Sequence, residues 1–150
     1  MEFSKIKLQM VKISQSVFSL DTIFEAKDAV KLVNDIEKLE LSPVKKLLVI
    51  GMDHKNNILM YSEVATGDTT KMHISMDNIF KPLLVANCSR FILTHNNVSG
   101  NSTPSKFDRE FFKKTKDASD IMGLELLDYI VIANDTYTSI AREYKKEEDK

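Results

Sequence analysis

Residues 90–108 have the sequence RFILTHNNVSGNSTPSKFD, in which a short apolar strand leads through a polar loop into a helix. The strand covers Arg90–Thr94, and His95 follows at its end. Ser105 then opens the helix, because Ser-x-x-Asp, with Asp108 at the third helical position, fits a capping box. This stretch therefore predicts a strand–loop–helix unit with an imidazole before the loop and a carboxylate after it.

Beyond this unit the chain continues to alternate between helix and strand. The helix that begins at Ser105 is predicted to end at Gly123, because glycine commonly closes a helix in the left-handed conformation. Leu126–Ala133 is an apolar strand, and a turn at Asn134–Asp135 follows it. The mixed-charge residues Arg142–Lys150 are expected to fray.

On the amino-terminal side the pattern favours a helix, a β-hairpin and a second helix. Helical spacing of apolar residues predicts the first helix over Lys27–Leu39. Two apolar runs, Lys46–Asp53 and Ile58–Thr66, flank a turn cluster and predict the hairpin. Helical spacing returns over Met76–Cys88, where Pro82 argues for a kink or a late start.

The partial alternation of Lys5–Ile13 predicts one more strand, half-buried, near the amino terminus. Strands and helices thus alternate along the chain, and neighbouring strands are joined by tight turns. That order predicts an α/β fold with a mixed β-sheet and helices packed on its faces.

The composition excludes several classes of protein. The 150 residues suit one domain, and 43% apolar with 29% charged residues is close to the average for a soluble globular domain. The longest apolar runs are far shorter than the ~20 residues that span a bilayer. The formal net charge of -1 gives no global basic field to gather nucleic acid, although a local patch could still bind it. No signal peptide is recognised, so the cytoplasm is the expected compartment.

His95 and Asp108 are the first candidates for chemistry. A His at the carboxyl end of a strand lies where open α/β sheets bind ligands. An Asp in the first turn of the next helix points back toward that strand end, and one imidazole and one carboxylate that converge there can share a metal ion. The alternative is structural: Asp108 caps its helix and interacts with the helix dipole, and His95 is an ordinary polar residue.

Several separated segments are similar to one family, in the same order along the chain. His95–Gly100, HNNVSG, is similar to the family's HNHPSG, and Thr103–Asp108, TPSKFD, to the Thr-Pro-Ser and Ser-x-x-Asp after it. Phe80–Asn87, FKPLLVAN, is similar to FKPALLAN, and Gly123–Ile130, GLELLDYI, to GIxLLDHI. Tyr61–Gly67, YSEVATG, matches the strand that carries a Glu. On these segments the chain resembles the RadC-like branch of the JAMM (MPN/JAB) metallopeptidases.

The resemblance implies a fold and a reaction. The fold is the JAMM/MPN architecture, which is cytidine-deaminase-like, over residues 26–141; a strand and connection, residues 1–25, precede it, and a charged tail, residues 142–150, follows. In the family two His and one Asp bind zinc and leave the fourth position to water, whose pKa falls to about 7. A Glu acts as general base and a Ser stabilises the oxyanion, so that a peptide or isopeptide bond is hydrolysed.

On this sequence the resemblance assigns Glu63 as the general base, Ser105 as the oxyanion donor, and His95, Asn97 and Asp108 to the zinc site. Asn97 departs from the family pattern, because it stands where the family has its second His. An amide oxygen is a neutral, hard ligand and a poor one for zinc. The three residues are expected to bind zinc weakly, or to prefer a metal such as manganese.

Two functions follow from this departure. The first is a metal-dependent hydrolase of JAMM type with an impaired site, acting on a peptide or protein substrate. The second is a catalytically silent module that binds a partner or serves as a scaffold, as metal-free members of the wider superfamily do. His54 or His73 could complete the metal site, but neither matches a family ligand position. RadC-like proteins are commonly labelled DNA-repair proteins, a label that the balanced charge does not support here.

Overall fold

The computed structural model describes residues 2, 4, 20–67 and 74–150. The predicted strand Lys5–Ile13 and the candidate His73 lie outside these residues. In the described part, the helices are α1 (Ala26–Glu37), α2 (Met76–Val85), α3 (Lys106–Met122) and α4 (Ile140–Glu148). The strands are β1 (Lys45–Met52), β2 (Ile58–Gly67), β3 (Arg90–Asn96), β4 (Glu125–Ala133) and β5 (Thr136–Ser139). A 3-10 turn covers Leu39–Leu41.

The strands form one sheet in the order β2-β1-β3-β4-β5. β1 pairs antiparallel with β2 and with β3, β3 pairs parallel with β4, and β4 pairs antiparallel with β5. The parallel pair is the one joined by a helix, α3, because parallel neighbours need a crossover connection. The predicted mixed α/β sheet and the predicted hairpin are confirmed.

The sheet separates two apolar clusters, which define its two faces. On the α3 face, Leu47 and Leu93 pack with residues of α2, α3 and α4. On the α1 face, Leu48, Ile50 and Ile92 pack with the buried side of α1. Because neighbouring residues of a strand point to opposite faces, this division assigns a face to every side chain of the central strands.

Helix α3 has the ends that the sequence predicts. The Ser105 side chain accepts a hydrogen bond from the Asp108 N–H, and the Asp108 side chain accepts one from the Ser105 N–H, which completes a capping box. At the other end Gly123 has φ 73°, the left-handed conformation that favours glycine. Both ends of the helix are therefore fixed by local chemistry.

Three local predictions are corrected. The residues expected to fray, Arg142–Lys150, form most of α4 instead, because buried Ile140 anchors the helix and Tyr144 stacks on Phe112 with ring centroids 5.4 Å apart. Helix α2 does not start late: it begins at Met76 and continues one turn past Pro82. His95 lies within β3 and does not follow it.

No helix in the part of the chain that the structure describes is long and apolar enough to cross a membrane.

Candidate functional site

His95 is held at the centre of the sheet. It pairs with Leu47 of β1 on one side and with Val131 of β4 on the other, so its side chain lies on the α3 face. The side chain is fully buried, and neither ring nitrogen has a hydrogen-bond partner among the described residues. Buried polar atoms are nearly always paired, so these two nitrogens mark an unusual place in the core.

Asp108 brings a carboxylate to this imidazole from the first turn of α3. Its Oδ1 atom lies 3.7 Å from His95 Nε2, beyond ordinary hydrogen-bond length, and its side chain is 3% exposed. Its Oδ2 atom accepts a hydrogen bond of 2.8 Å from the Ser105 N–H. Asp108 therefore caps α3 through Oδ2, while its Oδ1 atom faces the imidazole of His95.

The surroundings keep the imidazole neutral. Burial lowers the pKa of His95 to about 4, because a charged ring would lose its hydration; Asp108 opposes this shift, and the cation of Lys45 adds to it. At neutral pH the ring is therefore uncharged, with one nitrogen lone pair and one N–H.

Sequence reasoning missed two residues near this pair, Lys45 and Tyr129, which together with His95 and Asp108 form the His95 cluster. The Tyr129 ring centroid lies 5.2 Å from that of His95, and its hydroxyl is buried without a hydrogen-bond partner among the described residues. Burial, and then the charge of Asp108, raise the pKa of Tyr129. The available signal was its position in the GLELLDYI segment, where the family pattern has His.

Asn97 forms two hydrogen bonds at the start of the loop that follows β3. Its backbone N–H donates to the Ile132 carbonyl, and its side-chain amide donates to the Asn101 carbonyl, both at 2.7 Å. The amide therefore closes the turn between the strand and the helix. Ser105 is exposed, and its hydroxyl serves as the N-cap of α3.

Glu63 does not lie beside His95 and Asp108, although the resemblance assigns it to the same site as its general base. It pairs with Leu48, whose side chain packs on the α1 face. The Glu63 carboxylate accepts a hydrogen bond from Thr66, lies 3.7 Å from Lys46 Nζ, and is 43% exposed. A bulge in β2 after Glu63 brings Thr66 and Glu63 to the same face, which favours this local pairing.

The donor set does not fit a zinc ion with three protein ligands. In the described ranges no group of three or more His, Cys, Asp and Glu residues could hold a metal. His95 and Asp108 supply two donors, and the third position has only the amide oxygen of Asn97, a neutral, hard ligand that suits zinc poorly. His54 lies in the turn after β1, at the opposite end of that strand from the residue that pairs with His95.

Comparison with known proteins agrees with the family resemblance of the sequence segments. A family model described as RadC-like JAB domain matches residues 23–146. Three curated relatives, each named UPF0758 protein, come from Enterococcus faecalis, Thermotoga maritima and Clostridium tetani. The first is 29% identical over 140 residues, 93% of this chain and 54% of that protein. The second and third are 32% identical over 113 and 118 residues, 75% and 79% of this chain and 50% and 51% of those proteins. The chain spans about half the length of these relatives.

Proposed function

The chain belongs to the RadC-like JAB domain family, and from that premise we propose that it is a binding or scaffold module that keeps the family fold without the family's hydrolytic chemistry. The observation that carries the proposal is the placement of Glu63 and His95 on opposite faces of the sheet. The loss of the second family His at Asn97 supports it independently.

The position of Glu63 decides whether it can act as the general base of a hydrolytic reaction. A general base must lie within hydrogen-bond reach of the proton that it takes, directly or through one water. The β-sheet itself stands between Glu63 and the buried pair His95 and Asp108. Within its own face Glu63 has ordinary partners, Lys46 and Thr66, which account for its presence on the strand.

The ligand count supports the same proposal. Catalytic zinc sites use three protein ligands and an open fourth position. Removal of even an outer partner of a ligand typically costs about 10–100-fold in metal affinity or activity. Asn97 stands where the family has a ligating imidazole, and its side-chain N–H donates to the Asn101 carbonyl. The loss of that imidazole is expected to lower the metal affinity at least as much.

One observation favours the second candidate, a metal-dependent hydrolase with an impaired site. His95 is neutral, its ring nitrogens have no hydrogen-bond partner among the residues that the structure describes, and the Asp108 carboxylate lies 3.7 Å from it. A neutral imidazole beside a carboxylate is the chemistry that binds divalent metals such as zinc or manganese. These two residues would hold such an ion, and no residue in the described ranges is placed to supply the base.

The two functions are separated by titrating zinc into the protein by calorimetry, with Asn97→His and Asp108→Asn as matched variants. We expect the unmodified protein to bind zinc at least about 10–100-fold more weakly than Asn97→His. We also expect peptide turnover in the presence of zinc to equal that of Asp108→Asn. Zinc binding as tight as that of Asn97→His, with turnover that Asp108→Asn abolishes, would overturn the proposal in favour of the hydrolase.

A further inference from the structure

A cavity of about 210 Å³ lies at the end of β3 opposite to His95, where the start of α1 approaches the first turns of α4. Its apolar lining includes Ile92 and Leu127 from the sheet and Ile23 from the segment before α1. Its polar lining includes Arg142 of α4. The volume is below the ~300–1,000 Å³ of ordinary small-molecule pockets, which suits one or two residues of a peptide.

The free charge at the cavity is positive. Arg142 and Lys145 line it from one side of α4, and neither makes an ion pair with any residue that the structure describes. Of the two acids that line it, Glu25 forms an ion pair with Lys27 and the charge of Asp128 interacts with Arg142, which leaves one positive charge in excess. Glu25 lies 3.1 Å from Lys27 Nζ, and Asp128 accepts hydrogen bonds from the Ser139 hydroxyl and from two backbone N–H groups.

The other face of α4 explains why these two cations are turned toward the cavity. Tyr144 stacks on Phe112, and Glu143 forms an ion pair with Arg109, so this side of α4 packs against α3. Arg142 and Lys145, three residues apart, share the remaining side.

An apolar side chain extends the cavity outward. Phe24 is part of its wall and is 81% exposed. A small free acid that filled the cavity would leave most of Phe24 in water. A longer chain that entered the cavity by its end would cover it.

We infer that this cavity binds the carboxyl terminus of a partner protein, with an apolar last residue on Ile92 and Leu127 and the terminal carboxylate on Arg142 and Lys145. Arginine and carboxylate form charge-assisted, often bidentate hydrogen bonds, and capture of a terminal carboxylate is a recurrent mode of peptide recognition. The residue before the terminus contacts Phe24. The inference gives a partner chemistry to the proposed binding module, yet it involves none of the residues of the His95 cluster.

The test uses three probes and NMR titration of the whole chain: the tripeptide acetyl-Ala-Leu-Leu, its carboxamide, and N-acetyl-leucine. We expect the tripeptide acid to shift amide signals of residues 139–145, and the carboxamide to bind about tenfold more weakly or not at all. Arg142→Gln and Lys145→Gln should each raise the tripeptide Kd by about tenfold. Lys114→Gln removes an exposed cation from α3 and should leave the Kd unchanged.

Three outcomes would overturn the inference: equal binding of acid and carboxamide, no shift at residues 139–145 at millimolar tripeptide, or an equal loss in Lys114→Gln. Binding of N-acetyl-leucine as tight as that of the tripeptide would also reject a protein terminus, in favour of a free small carboxylate. A zinc-dependent hydrolase activity would refute the proposed function and leave these outcomes unaffected, so the two failures are distinguishable.

Discussion

Glu63 and His95 lie on opposite faces of one β-sheet, although family resemblance assigns both to one site. Glu63 pairs with Leu48, which packs on the α1 face, and His95 pairs with Leu47, which packs on the α3 face. The direction of a strand side chain is set by the backbone, so no change of rotamer brings the Glu63 carboxylate to the imidazole. A catalytic role for Glu63 would require β2 to pair with β1 in a different register.

Glu63→Gln should change the free energy of unfolding by no more than about 1 kcal/mol. The carboxylate is 43% exposed and lies 3.7 Å from Lys46 Nζ, and exposed ion pairs contribute little. Urea unfolding measures the effect, with His95→Gln as the buried counterpart, which should cost more. A loss above about 2 kcal/mol in Glu63→Gln would show that the carboxylate is buried in the native protein.

The stability of the protein should fall as the pH falls from about 6.5 to about 4. In this window the unfolded chain protonates His95 while the folded chain keeps it neutral, so protons favour the unfolded state. The shift corresponds to at most about 3 kcal/mol near pH 4. Urea unfolding at pH 7 and pH 4.5 should show this loss in the unmodified protein and in His54→Gln, whose ring is exposed. The loss should be smaller in His95→Gln; an identical loss in all three proteins contradicts the assignment.

Asn97→His should make thermal stability dependent on zinc. A ligand that binds only the folded state stabilises it by about 2.7 kcal/mol at 100 times its Kd, which corresponds to a rise of about 5–10 °C in Tm for a domain of this size. The matched control is Asn97→Ala, which also loses the hydrogen bond to the Asn101 carbonyl but gains no imidazole. Calorimetric melting with and without zinc should show the rise in Asn97→His alone. A rise of the same size in the unmodified protein would show that Asn97 does not weaken the site.

Ser105→Ala should destabilise the protein by about 0.5–2 kcal/mol through loss of the N-cap of α3. Ser105→Thr keeps a hydroxyl oxygen at the same position and should recover most of that free energy. Urea unfolding of both variants measures the cap. If Ser105→Ala instead left stability unchanged and abolished a zinc-dependent turnover, the hydroxyl would belong to catalysis and not to the helix end.

Local chemistry in the sequence determined much of the fold around the candidate site. The capping pair Ser105 and Asp108 and the closing Gly123 predict α3 at both ends, because each satisfies backbone groups within a few residues. The order of strand, loop and helix predicts that His95 and Asp108 meet, since the two residues flank one connection. No distant contact is needed for either result.

Tertiary structure alone decided the rest. The sequence shows Glu63 on a strand but does not fix which face of the sheet it takes, because a bulge or a shift of one residue in pairing reverses the face. The sequence of Arg142–Lys150 predicts a charged tail, but most of it is helical because Tyr144 stacks on Phe112 of α3. The burial that keeps His95 neutral comes from strands and helices far apart in the chain, and such desolvation depends on the assembled core and not on neighbouring residues.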